Sequence, residues 1–125
     1  MSAQNNMVNW FEIPTADLSR ATEFYEHVLG VELSLQEMGP LKMAWFPMVD
    51  GGSGATGSLV HSEEYTPSYD GSLVYFSVDD IDQTLERVRE KGGKVLNPKS
   101  SIGEHGFVAH FEDSEGNRVA LHSET

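Results

Sequence analysis

The chain repeats itself. A shift of 63 residues pairs Asp17 with Asp80, Leu18 with Ile81, Ala21 with Thr84, Tyr25 with Val88 and Gly30 with Gly93. Two copies are too few for a solenoid, which needs at least three stacked units to bury a continuous core. The duplication instead predicts two small mixed modules that share one fold. The helix of each covers one face of its sheet. The remaining sheet faces, curved toward each other, enclose a cavity.

The local signals give the same order of elements in both halves. "MVNWFEI" (7–13) alternates and is rich in β formers, so it reads as a strand ended by Pro14. Asp17 is positioned to cap a helix over "LSRATEFYEHVLG". There Leu18, Ala21, Tyr25 and Val28 form one stripe, Phe24 and Leu29 lie beside it, and Gly30 stops it. "VELSLQE", "LKMAWFPMV" and "GSLVH" are the next strands, with a turn at Gly39-Pro40. The glycine-rich "DGGSGATG" lacks the spacing and the following Lys-Ser/Thr of a phosphate loop, so it is a hairpin connection. "SEEYTPSYDG" (62–71) is polar and turn-forming and reads as a linker. Beyond it come the strand "SLVYFSV" and a helix opened by the capping-box-like Asp80-Ile81-Asp82-Gln83. Ile81, Leu85 and Val88 form its stripe, and Gly92-Gly93 stop it. "KVLNP" is a strand, "KSSIGEHG" a loop, and "FVAHFED" and "NRVALHS" the last strands. The fold class is therefore α+β: a βαβββ module over 1–61, a linker over 62–71 and a second βαβββ module over 72–125, together one domain.

Composition narrows the function classes. At 125 residues the chain has the size of one domain with a core of moderate size. It has no cysteine, which removes disulfides, thiolate metal sites and a cysteine nucleophile. Lys plus Arg number 8 against 20 Asp plus Glu, a net charge of −12. That field repels nucleic acid and anionic membrane, and favours a neutral or cationic ligand. It also serves plain solubility. No basic-then-apolar segment opens the sequence and no apolar run approaches a membrane span, so a cytoplasmic protein is expected.

Three segments carry a resemblance. "FYEHVLG" in the first helix, "VDDIDQTLERVREKGGKVL" and "FEDSEGNRVAL" in the second half resemble signatures of the vicinal oxygen chelate superfamily. That group includes glyoxalase I, extradiol dioxygenases and bleomycin-resistance proteins. The resemblance covers nearly the whole chain and implies a glyoxalase/bleomycin-resistance-like fold in which each module curls into half a barrel. It also implies a homodimer, in some relatives with exchanged modules. Enzymes of the group hold a divalent metal with His or Glu on the first and last strands of each module, and use it as a Lewis acid. The position seven residues before the capping Asp is Trp10 in the first half and Leu73 in the second. In "GNRVAL" the family carboxylate position is Ala120; in "GSLV" the looser match is Ser58 or Leu59. None of these offers a competent metal ligand, so no cofactor is expected, a divalent metal being the alternative.

Alternation places further side chains on the cavity faces. Glu12 follows Trp10, Tyr75 and Ser77 follow Leu73, and Arg118 and His122 flank Ala120. Trp45 and His110 belong there unless a bulge flips them. Trp10, Trp45, Tyr75, Ser77, His110, Arg118 and His122 are thus candidate ligand-binding residues, an aromatic wall with a few polar groups. Glu12 is the candidate general base, on the argument that burial between aromatic rings raises a carboxyl pKa. Each has a structural alternative: core filling for Trp10, solvated surface for Glu12 and His122, a structural hydrogen bond for His110, an ion pair for Arg118. A displaced metal site from His110, His122 and Glu12 is a further option. The expected function is binding of a small organic molecule without metal. The alternatives are a divalent-metal-dependent lyase or dioxygenase and a metal-free lyase or isomerase using Glu12.

Overall fold

The computed structural model describes residues 6–125. Its elements run β1 (Phe11–Pro14), α1 (Leu18–Leu29), β2 (Ser34–Met38), β3 (Leu41–Trp45) and β4 (Gly57–His61) in the first half. The second half has β5 (Tyr75–Ser77), α2 (Ile81–Glu90), β6 (Lys94–Ser101), a 3-10 turn (Gly103–His105), β7 (Phe107–Glu112) and β8 (Arg118–Ser123). Each half forms its own four-stranded sheet, in the orders β1-β4-β3-β2 and β5-β8-β7-β6. In both, the first strand pairs parallel with the last and the other pairings are antiparallel. The duplication extends to single bonds. Thr15 N donates to the Val60 carbonyl at 2.8 Å, and Val78 N donates to the His122 carbonyl at 2.9 Å.

The helices begin where their caps dictate. The Asp17 and Asp80 carboxylates each accept the amide hydrogen three residues on, from Arg20 and Gln83, both at 3.0 Å. α1 ends at Gly30 in the left-handed conformation (φ 66°), which a glycine adopts without a Cβ clash. The buried face of α1 is Ala21, Phe24, Tyr25 and Val28, and that of α2 is Ile81, Thr84, Leu85 and Val88.

One core serves both halves. Ile13, Ala44, Phe46 and Leu59 of the first half join Ala109, Phe111, Val119 and Leu121 of the second beneath the two helices. A four-ring cluster bridges them. Phe76 lies 5.6 Å from Phe11, 5.4 Å from Phe46 and 5.8 Å from Tyr25, ring centre to ring centre. Fully burying each such ring contributes about 1.5–3 kcal/mol. Gly57 shows how tight the packing is: a Cβ there would fall 2.2 Å from the Phe11 carbonyl oxygen and 2.6 Å from its ring.

Three strands differ from the alternation reading. β1 begins at Phe11, so Trp10 stands in the coil that leads into it. β5 is only three residues long, and Leu73 precedes it. β6 extends through Lys99, Ser100 and Ser101, where a loop was expected. It does so by shifting register on both sides of Asn97, which accommodates Pro98 on an outer strand.

Candidate functional site

The sheet faces turned away from the helices carry two equivalent rows of side chains. In the first sheet Glu12, Ser58 and Trp45 are direct partners across β1, β4 and β3. In the second, Tyr75, Ala120 and His110 are direct partners across β5, β8 and β7, with Asn97 of β6 beyond. Each row contains one of the last-strand positions, Ser58 or Ala120, at which the resemblance places a metal ligand.

The second row is closed over. β5 and β7 lie two strand spacings apart, roughly 9.5 Å, yet the Tyr75 and His110 ring centres are only 6.0 Å apart. The two rings therefore lean together above Ala120, which is fully buried. Arg118 holds the arrangement. Its Nε and Nη2 donate to His110 Nδ1 at 3.1 and 2.9 Å. Arginine has no acceptor, so Nδ1 must accept and the ring proton sits on Nε2, 3.5 Å from the Tyr75 hydroxyl. Burial, reinforced by the Arg118 charge, holds the His110 pKa below its usual value. With its amide oriented to match its neighbours, Asn97 accepts from Arg118 Nη2 at 3.3 Å and donates to the Leu96 carbonyl at 2.8 Å. The expected Arg118 ion pair with a carboxylate is not formed among the described residues; the imidazole takes its place.

In the first row Trp10 rests edge-on against Trp45, ring centres 5.2 Å apart. Ser58 is fully buried. Neither Ser58 Oγ nor Trp45 Nε1 has a hydrogen-bond partner among the described residues.

A groove of about 1260 Å³ runs between the neighbouring edge strands β1 and β5. Of the expected site residues, Trp10, Glu12, Tyr75 and Ser77 line it. Trp45 adjoins it through Trp10, and His110 through Tyr75. Glu12 is exposed, with the Tyr65 hydroxyl 3.5 Å from its Oε1, so the premise of burial between rings does not hold. His122 is tied elsewhere: its Nε2 donates to the His105 carbonyl at 2.7 Å and pins the 3-10 turn. The displaced metal site is not formed either, since among the described residues no three His, Asp or Glu side chains come together to hold an ion.

The four positions where the resemblance places metal ligands can be tested on their chemistry. Trp10 is an indole, Leu73 and Ala120 are hydrocarbon, and Ser58 is one buried hydroxyl. A divalent ion needs several nitrogen or oxygen lone pairs. This donor set does not fit one.

The segment "EDSEGN" serves architecture. Asp113 is buried and accepts from Tyr25 Oη at 2.6 Å, from the backbone of Glu115 and Asn117, and from the Asn117 amide at 3.1 Å. Burial pushes its pKa up against the pull of these bonds, and pushes that of Tyr25 well up. Glu115 Oε1 accepts from Ala16 N and Asp17 N at 2.8 and 2.7 Å, and Oε2 accepts from Arg20 Nε at 2.7 Å. Burial works against the Glu115 charge. The Arg20, Asp17 and Ser114 hydrogen bonds and the Arg20 charge outweigh it and hold the carboxyl below its usual range. Asn117 donates to the Pro14 carbonyl at 2.8 Å. This turn of the second half thus grips the β1–α1 turn of the first. Sequence reading missed the clamp, as it missed Tyr65 and Tyr69 of the linker, which reach Glu12 and Glu112. Two tyrosines in an otherwise polar linker were the available signal.

Comparison with known proteins completes the picture. The profile of the Glyoxalase/Bleomycin resistance protein/Dioxygenase superfamily matches residues 7–121. A glyoxylase-like domain-containing protein of Didymella fabae is 31% identical over 121 residues, 94% of this chain and 93% of its own. A lactoylglutathione lyase of Haemophilus influenzae is 30% identical over 110 residues, 82% of each chain. Among solved structures, an antibiotic binding protein from Streptomyces sp. CB03234 superposes with a TM-score of 0.66 at 25% identity, covering 99% of this chain and 100% of that one. Glyoxalase I of Zea mays, as its E144Q mutant, shares the fold with a TM-score of 0.71 at 23% identity; this chain covers 93% of itself and spans about half, 46%, of the maize chain. With the duplicated modules, the paired rows and these matches in agreement, the chain belongs to the Glyoxalase/Bleomycin resistance protein/Dioxygenase superfamily.

Proposed function

We propose that the protein binds a planar organic small molecule in the groove beside Trp10, without a divalent metal at the family position, as a cytoplasmic homodimer. The observation that carries this reading is the exchange of chemistry at the family ligand positions, Trp10, Ser58, Leu73 and Ala120, next to an aromatic pair on a groove of ligand size. The likeness to an antibiotic binding protein over the full length of both chains supports it. The net charge of −12 favours a neutral or cationic ligand. Exposed Leu35, Met38, Met48 and Val49 supply apolar surface for the second copy.

The chain has two tryptophans, so intrinsic fluorescence reports directly on the pair. Planar aromatic antibiotics, cationic and neutral, should quench the emission and raise Tm equally with EDTA or with added Mn²⁺, Ni²⁺ or Zn²⁺. Binding or lactoylglutathione lyase activity that appears only with a divalent ion overturns the reading. The name of the Haemophilus influenzae relative favours a second reading, a lyase; with this donor set it would work without metal, the groove carboxylate of Glu12 acting as base. Under it Glu12→Gln abolishes turnover, whereas in a binder it only weakens affinity.

A further inference from the structure

Trp45 Nε1 and Ser58 Oγ are the buried side-chain polar atoms left without a partner among the described residues. They are also neighbours. Trp45 and Ser58 face each other directly across the antiparallel β3–β4 pair, so their side chains rise side by side from one sheet face. A buried polar group without a partner carries its desolvation cost uncompensated, and two such groups on directly paired residues call for an explanation. The indole N–H is a donor and nothing else, so only an acceptor satisfies it. The serine hydroxyl hydrogen is free to rotate toward an acceptor. Glu12, the third member of the row, and the overall negative charge disfavour an anionic acceptor there. A neutral oxygen is left, from a water in the free protein or from a ligand that displaces it.

We propose that Trp45 Nε1–H and Ser58 Oγ–H form a two-donor seat for one neutral carbonyl oxygen of a planar ring compound. This rests on the ring-binding reading above and names the ligand class it would take. Trp10 supplies the ring contact and the way in. It lines the groove and covers Trp45, yet it lies outside the β1 ladder, so its ring can turn aside without breaking strand pairing. The position that holds a lone-pair donor in metal-binding relatives here presents hydrogens, so the ligand oxygen meets protein donors directly.

The test uses the full chain labelled with ¹⁵N, whose two indole N–H signals are told apart by Trp10→Phe. The probes are coumarin, a planar bicycle with a lactone carbonyl, and naphthalene, a planar bicycle with no acceptor. Coumarin should move the Trp45 indole proton downfield and bind about tenfold more tightly than naphthalene, the scale of one good hydrogen bond. Ser58→Ala should lower that preference to about threefold, since the Trp45 N–H remains, and raise the Tm of the free protein, because an unpaired buried hydroxyl is gone. A Ser58→Ala variant that melts lower, or that keeps the full preference, overturns the seat. So does a Trp45 indole proton that coumarin leaves unmoved. Equal binding of both probes, with Trp10 perturbed by each, overturns the seat and leaves the ring-binding reading standing. No response to either probe or to the antibiotics overturns both.

Discussion

The two halves share strand order and a 62–63-residue repeat, yet they treat their polar groups in opposite ways. The turn at 113–117 of the second half is closed: its two buried acids and Asn117 satisfy one another, Tyr25, Arg20 and the β1–α1 backbone. The equivalent loop of the first half, 50–54, is exposed. Its end and the two residues beyond, 53–56, line the groove together with Asp79, Asp80 and Gln83. The helix residue that would reach toward it is Val88, where the other half has Tyr25. The rows differ in the same sense, with the second half again the engaged one. In the second half Tyr75, His110, Arg118 and Asn97 are mutually engaged, and in the first Trp45 and Ser58 are not. A duplicated fold can thus be latched on one side for rigidity and left open on the other for a ligand.

The largest effect should come from the latch. Asp113→Ala strands a tyrosine hydroxyl, two backbone amides and an asparagine amide, so it should cost about 3–5 kcal/mol in urea unfolding. Asp50→Ala, its counterpart in the repeat, should stay within about 0.5 kcal/mol. Similar losses at the two positions would break the comparison. A smaller, reciprocal pair tests the rows. Ser58→Ala should stabilise by about 1 kcal/mol, and Ala120→Ser, which inserts a hydroxyl beneath the Tyr75 and His110 rings, should destabilise by about as much. Equal signs would show that the rows do not differ.

The pH dependence sharpens the picture of the latch. Glu115 has a folded pKa below its ordinary 4.5, so its contribution is complete above that value and is lost as pH falls through the folded pKa. Asp113 is raised from 3.8, so its contribution is present below that value and is lost as pH rises through its folded pKa. Acid unfolding should therefore follow Glu115, and Glu115→Gln should flatten the stability profile below about pH 4.5 relative to the parent. An unchanged acid limb would remove Glu115 from the latch. The smallest effect concerns His110. Arg118→Ala should let its pKa rise toward 6.5 in an NMR titration, since one of the two forces lowering it is gone. A pKa that stays put would leave burial as the sole cause.

Much of the architecture was legible because its signals are local. The repeat, the Asp17 and Asp80 caps and the helix stripes through Ala21, Tyr25 and Val28 and through Ile81, Leu85 and Val88 follow from spacing, and the structure has each of them. The site was harder because it depends on register between strands distant in sequence. That Trp45 stands beside Ser58, and His110 beside Ala120, is set by pairings that no single strand encodes. Arg118 carries no mark that it will hold an imidazole rather than one of many carboxylates. The exposure of Glu12 and the capture of His122 by a loop carbonyl depend on how β1 and the 3-10 turn end, where periodicity gives no guidance. The clamp residues looked like turn formers, and they are; their long-range partners are invisible at that scale.

The lean of Tyr75 and His110 over Ala120 narrows what position 120 can hold. A carboxylate introduced there alone would be driven into two rings and an arginine-anchored imidazole. Positions 75, 110 and 120 are therefore coupled, and substitutions among them should not add.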